Sequence, residues 1–221
     1  MSKKANIAVI FDMDGVLVDS EPVIEAAAIR GLAEFGVNAQ PSDFIPFIGT
    51  GEIKYIGGVS EKYGVAYQTA MKNRVYEIYL EIVDEKLKVQ PGARHCLANL
   101  RRDGVPLVLA SSADRIKINA NLRVAGIPQN TFEVILSAED VVHKKPSPEI
   151  YLKSAEKLGL PPDKCIVIED ALNGIQSAKA AGMACLAVSS TFDRKQLARE
   201  APDHICDDLN EVFELIRRLY I

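Results

Sequence analysis

The chain has 221 residues, 48% of them hydrophobic, so it is long enough to bury the core of one large domain or of one domain with a smaller insertion. Its 26 basic and 30 acidic side chains give a net charge of −4, which leaves no global positive field to attract nucleic acid or an anionic membrane. No segment approaches the roughly 18 consecutive apolar residues of a membrane span, and the apolar run at residues 7–11 is too short for a secretory signal. We therefore expect a soluble, cytoplasmic protein with no membrane partner.

The apolar run at residues 7–11 predicts a buried strand. Further short runs rich in Val, Ile and Leu predict four more strands, at residues 106–110, 133–136, 165–168 and 184–188. Helical patterns lie between them, including residues 115–125, with Asp114 as the expected N-cap, and residues 171–181. Continuous apolar strands that alternate with helices indicate a parallel sheet covered on both faces. The predicted fold class is α/β, with a doubly wound parallel sheet.

The interval from residue 20 to residue 90 breaks this alternation. It contains helical patterns and a glycine-rich passage, GTGEIKYIGGVSEKYG, but no convincing strand. The sequence therefore predicts a core domain formed by residues 1–19 and 91–221, with a helical cap domain inserted at residues 20–90.

Polar residues follow the predicted strands, at the edge where an open parallel sheet binds its ligands, and one of them, Lys145, comes after a short connecting stretch. In chain order they are Asp12, Asp14, Ser111, Ser112, Lys145, Glu169 and Asp170. Residues i and i+2 of an extended segment point the same way, so Asp12 and Asp14 can face one ligand. We therefore expect a single polar site at this edge of the sheet.

The acidic residues of this set predict a bound cation. Three or four carboxylates in one cleft repel one another unless a cation lies among them, and hard oxygen ligands favour Mg²⁺. The candidate metal ligands are Asp12, Asp14, Glu169 and Asp170. A lysine, a serine hydroxyl and the free N–H groups at the helix starts after Ser112 and Asp170 suit the oxygens of a phosphate. Together these groups are typical of phosphoryl transfer to a carboxylate.

Each residue also has a simpler interpretation. Asp14 with Gly15 is typical of a turn, Lys145 of a solvated charged run, and Asp170 of an N-cap for the following helix. However, independent turns and caps have no reason to supply complementary chemistry at one sheet edge. We therefore favour the functional interpretation of the whole set.

Four segments resemble the motifs of the haloacid dehalogenase superfamily of phosphatases and mutases. They are FDMDGVLVDS, LASSAD, KKPSPEIY and VIEDALNGI, and their order and spacing fit over nearly the whole chain. Within the superfamily the chain resembles the β-phosphoglucomutase-like branch, which implies a Rossmann-like core with a helical cap inserted after the first strand. The stretches FIGTGE and SSADRIKINANLRVAGI also resemble the phosphatase-like domain of plant suppressor-of-quenching proteins.

The resemblance implies roles for the two aspartates of the first motif. Asp12 would be the nucleophile and a metal ligand. Asp14 would protonate the leaving oxygen, then take a proton from the attacking water, while its backbone carbonyl binds Mg²⁺. The metal-free dehalogenases of the superfamily lack this second aspartate, so Asp14 argues against dehalogenation.

The resemblance also implies how the remaining residues act. Ser111 and Lys145 would hold the transferring phosphoryl group, and Ser112 is a further candidate for substrate binding. Asp170 would complete the metal site, together with Glu169 directly or through water.

The chain departs from the β-phosphoglucomutases in the cap. A histidine and an arginine there help to hold a bisphosphate intermediate, whereas the corresponding positions here fall at Ile24 and within GTGEI. Lys72 and Arg74 could meet a second phosphate, although a polar helix face is the commoner interpretation of such a pair. The glycines of this passage permit tight turns, or else the loop from Thr50 to Lys54 closes over the cleft and selects the leaving group, as the resemblance implies. We favour the closing loop, with Thr50 as a substrate-binding residue.

These observations favour a Mg²⁺-dependent phosphatase that hydrolyses a small phosphorylated metabolite, such as a sugar phosphate, through an aspartyl-phosphate. We expect it to act as a monomer without a nucleic acid partner. A phosphomutase is the alternative, and a slow or inactive regulatory or binding module is the third hypothesis. The complete motif set argues against the third, because a purely structural domain has no need for mutually repelling acids.

Overall fold

The computed structural model describes residues 7–220, and its centre is a six-stranded parallel sheet. The strands of the described chain are β1 (Ala8–Phe11), β2 (Val18–Asp19), β3 (Lys88–Val89), β4 (Leu107–Ala110), β5 (Val134–Leu136), β6 (Cys165–Glu169), β7 (Ala184–Val188) and β8 (His204–Cys206). The sheet order is β5-β4-β1-β6-β7-β8, while β2 and β3 form a separate antiparallel pair. The first strand is therefore central.

Helices connect the strands and cover the sheet. Those of the described chain are α1 (Glu21–Ala33), α2 (Glu52–Lys62), α3 (Thr69–Lys86), α4 (Ala93–Arg102), α5 (Arg115–Val124), α6 (Glu149–Leu158), α7 (Leu172–Ala180), α8 (Arg194–Ala198) and α9 (Leu209–Leu219). In the part of the chain that the structure describes, no helix combines the length and the apolar character needed to cross a membrane.

The alternation of side chains along each strand builds two hydrophobic layers. On one face Val9 and Phe11 pack with α4, α5 and α9, and on the other Ala8 and Ile10 pack with α6, α7 and α8. Both faces of the sheet are thus buried, which explains why its strands are continuous apolar runs. The doubly wound α/β class predicted from the sequence is confirmed.

Helices α1 to α3, which we call the helical insertion, lie between β2 and β3. Their apolar side chains form a third hydrophobic cluster, with Leu32, Ile56 and Tyr79 among the fully buried members. The division into a core domain and a cap domain at residues 20–90 stays a prediction. The pair formed by β2 and β3 joins the two ends of the insertion beside the sheet.

The structure corrects the interpretation of the glycine-rich passage. Gly57 and Gly58 lie inside α2 rather than in turns. A Cβ atom at Gly58 would come within 2.3 Å of the Phe47 ring, so close packing explains this glycine. Gly49 and Gly51 do adopt positive φ angles, of 77° and 86°, and lie in the turn that leads into α2.

Candidate active site

The register of the sheet brings the polar strand ends together. β1 pairs with β4 on one side and β6 on the other, with Phe11 opposite both Leu109 and Ile168. The backbone N–H of Asp12 continues the ladder by donating to the Ile168 carbonyl at 3.0 Å. The residues that follow these three strands therefore face one another, as the sequence predicts for an open parallel sheet.

The ammonium of Lys145 joins two carboxylates from different strands. Its Nζ atom lies 2.6 Å from Asp12 Oδ1 and 2.7 Å from Glu169 Oε1, and 3.3 Å from the Ala110 carbonyl. All three charged residues are at least nine-tenths buried. Lys145 is thus a buried counter-ion of the acidic site, not a solvated charge.

Both oxygens of Glu169 already accept hydrogen bonds. Oε1 accepts from the Tyr151 hydroxyl at 2.7 Å as well as from Lys145, and Oε2 accepts from the backbone N–H groups of Asp170 and Ala171 at 3.0 and 3.1 Å. The N–H group of Ala171, one of those after Asp170 that were expected to be free for a phosphate, is therefore occupied. The N-cap position of α7 is Ala171, and Asp170 caps no helix.

Burial raises the pKa of both aspartates in the cluster. It raises the pKa of Asp12 to about 7, against the opposing charge of Lys145 and with the help of the Glu169 and Asp14 carboxylates. It raises the pKa of Asp170 well above the ordinary value, reinforced by Glu169 and Asp12. The pKa of Lys145 is raised as well, because its two carboxylate partners outweigh the effect of its burial. The site thus holds more negative charge than one lysine balances.

Four polar side chains surround the carboxylate of Asp14. Lys117 Nζ lies 3.0 Å from Oδ1, Asn121 Nδ2 and the Ser111 hydroxyl are each 3.4 Å from one of the two oxygens, and the Ser20 hydroxyl also donates to Oδ1. Asp14 remains 23% exposed at its side chain. Its carboxylate is consequently held in place and still reachable from the cleft.

The donor chemistry fits a hard cation. In the described residues no group of three or more His, Cys, Asp or Glu side chains is placed to enclose a metal ion. Mg²⁺, however, is bound in proteins through one or two carboxylates plus waters and substrate phosphates, so a closed protein cage is not required. Asp12 and Asp170 are two buried carboxylates with raised pKa values, which a cation would stabilise. The four predicted metal ligands themselves stay a prediction.

A cavity of about 50 Å³ opens above these residues. Its lining includes Asp12, Asp14, Ser112, Lys145 and Asp170. Ser111 is fully buried and is not part of this lining. Its hydroxyl accepts a hydrogen bond from the Ala113 N–H at 3.0 Å.

Thr50 lies apart from that lining. Its hydroxyl donates to the Phe47 carbonyl at 2.6 Å, whereas its neighbour Gly49 does line the cavity. The Gly49 carbonyl accepts from Asn173 Nδ2 at 2.6 Å, which connects the insertion to α7. This loop therefore reaches the site through its backbone at Gly49 and not through the Thr50 side chain.

Both cationic residues considered for a second phosphate have carboxylate partners. Arg74 pairs with Glu34 and Glu77, both at 2.9 Å, on the exposed surface of the insertion. Lys72 lies 2.6 Å from Asp114 Oδ2. Asp114 occupies the N-cap position of α5, but its side chain makes no capping hydrogen bond because it pairs with Lys72.

Sequence reasoning missed Lys117 and Glu52. Lys117 is 4% exposed and bridges Asp14 on the core to Glu52 Oε1 on α2, 3.4 Å away. The spacing of Lys117 and Asn121, four residues apart on α5, puts them on one helix face and was an available signal. Glu52 lies within the loop from Thr50 to Lys54 that was predicted to close over the cleft, but its side chain was not singled out, because its contact with the site depends on how the insertion packs.

Comparisons with known proteins agree with this architecture. The profile of the haloacid dehalogenase-like hydrolase family matches residues 8–182. Protein SUPPRESSOR OF QUENCHING 1, chloroplastic, of Arabidopsis thaliana is 42% identical over 212 residues, which cover 93% of this chain and 20% of that protein. Hexitol phosphatase A of Escherichia coli is 33% identical over 194 residues, 85% of each chain.

A solved structure has the same fold. CbbY of Rhodobacter sphaeroides in complex with phosphate has a TM-score of 0.83 and 25% identity to this chain, covering 93% of this chain and 95% of its own. The chain spans only about a fifth of the length of the Arabidopsis relative. On the family match and the identity to the hexitol phosphatase, the chain belongs to the haloacid dehalogenase-like hydrolases.

Proposed function

We propose that this chain is a Mg²⁺-dependent phosphatase that hydrolyses a small phosphomonoester through an aspartyl-phosphate on Asp12. The observation that carries the proposal is the buried cluster in which Lys145 joins Asp12 and Glu169, with Asp14 beside the same cavity. The name of the hexitol phosphatase, 33% identical over most of both chains, supports phosphate-ester hydrolysis and a sugar-derived substrate.

Asp12 acts as the nucleophile in this proposal. A carboxylate attacks phosphorus only when it is ionised, and burial works against ionisation. Lys145 opposes that effect from 2.6 Å and keeps a positive charge where the phosphoryl oxygens arrive. Positioning and charge neutralisation of this kind supply most of the rate in phosphoryl transfer.

Asp14 acts as general acid and then as general base. Lys117, Asn121 and Ser20 hold its carboxylate, and its partial exposure towards the cavity leaves room for a leaving oxygen and later for a water. The Asp14 proton passes to the leaving alcohol as the P–O bond breaks. The same carboxylate then accepts a proton from the water that hydrolyses the aspartyl-phosphate.

Asp12 and Asp170 would hold Mg²⁺, with the Asp14 backbone carbonyl and, through water, Glu169. When bound, the ion supplies positive charge to the phosphoryl oxygens and lowers the repulsion between the two buried aspartates. The monomeric state and the cytoplasmic location stay predictions.

A phosphomutase finds less support. A mutase must hold a second phosphate, but Lys72 and Arg74 already pair with carboxylates of the chain. Ile24, at the position of the mutase histidine, is buried and apolar.

The test is a panel of sugar and nucleotide monophosphates, incubated with the protein and Mg²⁺, with phosphate release as the readout. We expect release with at least one sugar phosphate, its loss in EDTA and its loss in Asp12→Asn. Release that survives Asp12→Asn would exclude the proposed nucleophile. Conversion of a hexose 1-phosphate to its 6-phosphate faster than phosphate appears would favour the mutase.

A further inference from the structure

A second cavity lies directly beside the first. It also measures about 50 Å³ and reaches between α5 of the core and α1 and α2 of the insertion. The two cavities share part of their lining, namely Asp14, Glu21, Gly49 and Ser112. They are therefore neighbouring chambers, and the proposed general acid lines both.

Three buried polar side-chain atoms that line the second chamber make no hydrogen bond of normal geometry, although the Tyr55 hydroxyl lies beside the Glu21 carboxylate. They are Glu21 Oε1, Glu52 Oε2 and the Tyr55 hydroxyl, and within residues 7–220 they are all the buried side-chain atoms of this kind. Glu52 and Tyr55 are only 7% and 5% exposed. Leaving such atoms unpaired costs roughly 1–3 kcal/mol each, and native proteins keep few of them. Their concentration in one chamber indicates that a ligand completes them.

The side chains of the chamber are held in position. The Tyr55 ring stacks on Phe44 with a centroid distance of 4.8 Å. Glu52 Oε1 lies 3.4 Å from Lys117 Nζ, which fixes the carboxylate while its other oxygen remains unpaired. The chamber is thus organised before a ligand arrives, which reduces the entropic cost of binding.

The charges of the chamber exclude an anionic ligand group. It contains the carboxylates of Asp14, Glu21 and Glu52, and its single cation among the described residues, Lys117, is already paired with Asp14 and Glu52. Burial raises the pKa of Glu21, and raises that of Glu52 to about 7, so the chamber carries too little negative charge to favour an ammonium group over a neutral one. The unpaired Glu52 Oε2 requires a hydrogen-bond donor, and the neighbouring Glu21 and Tyr55 side chains can also bond a hydroxyl of a ligand. A neutral polyhydroxy alcohol supplies such hydroxyls.

Asp14 determines which part of the substrate enters this chamber. A general acid must contact the oxygen that leaves phosphorus, so the phosphoryl group lies on one side of Asp14 and the alcohol on the other. The first chamber contains Asp12 and Lys145, which leaves the second for the alcohol.

We propose that Glu21, Glu52 and Tyr55 form a leaving-group subsite that selects phosphate esters of small, uncharged polyols by accepting and donating hydrogen bonds to their free hydroxyls. This inference rests on the proposed phosphatase function and names the substrate class of the same site. Glu52 and Tyr55 are its specificity-determining residues.

The first part of the test compares esters that differ in the polar groups of their alcohol. Glycerol phosphate is the polyol ester, and propyl phosphate is its analogue without free hydroxyls. Phosphoglycerate adds a negative charge to the alcohol, and aminoethyl phosphate carries a positive one. p-Nitrophenyl phosphate serves as an aryl ester without hydroxyls. Sites built to bond a hydroxyl discriminate strongly against its absence, so we expect kcat/KM for glycerol phosphate to exceed that for propyl phosphate by about a hundredfold or more. Phosphoglycerate and aminoethyl phosphate should also be poor substrates.

The second part uses variants that keep the shape of the chamber. Tyr55→Phe removes only the hydroxyl, and we expect kcat/KM for glycerol phosphate to fall about threefold to tenfold. Glu52→Gln replaces a carboxylate acceptor with an amide, and we expect kcat/KM for glycerol phosphate to fall by about tenfold to a hundredfold. Both variants should lower kcat/KM for glycerol phosphate by a larger factor than kcat/KM for p-nitrophenyl phosphate, whose leaving group offers the subsite no hydroxyl. The control is Tyr63→Phe, at the far end of α2, whose hydroxyl bonds Asp43 instead; it should match the wild type on both substrates.

The outcomes separate this inference from the function on which it rests. Hydrolysis of p-nitrophenyl phosphate without a preference for glycerol phosphate over propyl phosphate overturns the subsite and leaves the phosphatase intact. Equal losses on both substrates in Tyr55→Phe and Glu52→Gln also overturn the subsite, because they indicate a structural defect. Hydrolysis of none of the esters overturns both proposals.

Discussion

At the scale of single residues, the charge of Lys145 decides how the acidic site can exist inside the protein. Its ammonium contacts Asp12 and Glu169 while almost fully buried. Removing one partner of a buried ion pair leaves an uncompensated charge, which costs far more than losing a surface pair. The same contacts that position the proposed nucleophile therefore also stabilise the fold.

This gives a first prediction. In the absence of added metal, Lys145→Met should lower the free energy of unfolding by about 3 kcal/mol. The control, Lys179→Met, removes an exposed pair with Asp203 and should change it by less than about 1 kcal/mol. Urea denaturation followed by circular dichroism measures both, and equal midpoints for the two variants would contradict the stabilising role of Lys145.

A second prediction concerns Asp14. If it protonates the leaving oxygen, Asp14→Asn should slow hydrolysis of an alkyl phosphate by about a hundredfold to ten-thousandfold. Nitrophenolate leaves without a proton, so the variant should still release one equivalent of it from p-nitrophenyl phosphate in a rapid burst. Stopped-flow absorbance detects the burst. An equal loss on both esters with no burst would mean that Asp14 does not act as the general acid.

The residues that sequence reasoning could identify are those set by local pattern. Asp12, Asp14 and Ser111 follow apolar strands, and a parallel sheet brings strand ends together whatever the rest of the chain does. Lys117 and Glu52 could not be paired in this way, because one lies on α5 and the other on α2, and their contact depends on long-range packing.

At the scale of elements, the start of α7 determines the position of Glu169. The N–H groups of Asp170 and Ala171 bind its carboxylate, and Gly174, in the first turn of the helix, lies directly against it. A Cβ atom at Gly174 would come within 1.9 Å of Glu169 Oε1. This helix start holds a carboxylate of the protein, which in turn orients Lys145.

The third prediction follows from this contact. Gly174→Ala should displace Glu169, destabilise the protein by about 2 kcal/mol through lost charged hydrogen bonds, and lower kcat/KM. The matched control is Gly57→Ala inside α2, where a Cβ atom would meet nothing closer than 3.4 Å. Alanine favours helix, so the control should be neutral or slightly stabilising. Thermal unfolding distinguishes the two, and equal shifts would contradict the steric argument.

The strands and helices that could be predicted from the sequence are those with a clear hydrophobic pattern. The five predicted strands match the structure to within one residue, because buried parallel strands are continuous apolar runs. The short edge strand β8 lacks such a signal. In α2 the glycines suggested turns, but the helix forms because its apolar face, including Ile56, packs in the cluster of the insertion.

At the scale of the whole molecule, the helical insertion completes the site. The polar contacts that join it to the core include those from Asn173 to Gly49, from Lys117 to Glu52 and from Lys72 to Asp114. The core supplies the groups that would transfer the phosphoryl group, and the insertion supplies the unpaired polar atoms of the second chamber. In this proposal the core determines the type of reaction, and the insertion determines which substrate is selected.

The central claim is that Asp12 becomes covalently phosphorylated. The most direct measurement is to quench the enzyme with borohydride during turnover in Mg²⁺ and to locate the reduced residue by peptide mass spectrometry. Borohydride reduces an aspartyl-phosphate to homoserine, so the account predicts homoserine at position 12, and none when substrate is omitted. Steady phosphate release with an unmodified Asp12, or with homoserine at another aspartate, would contradict it.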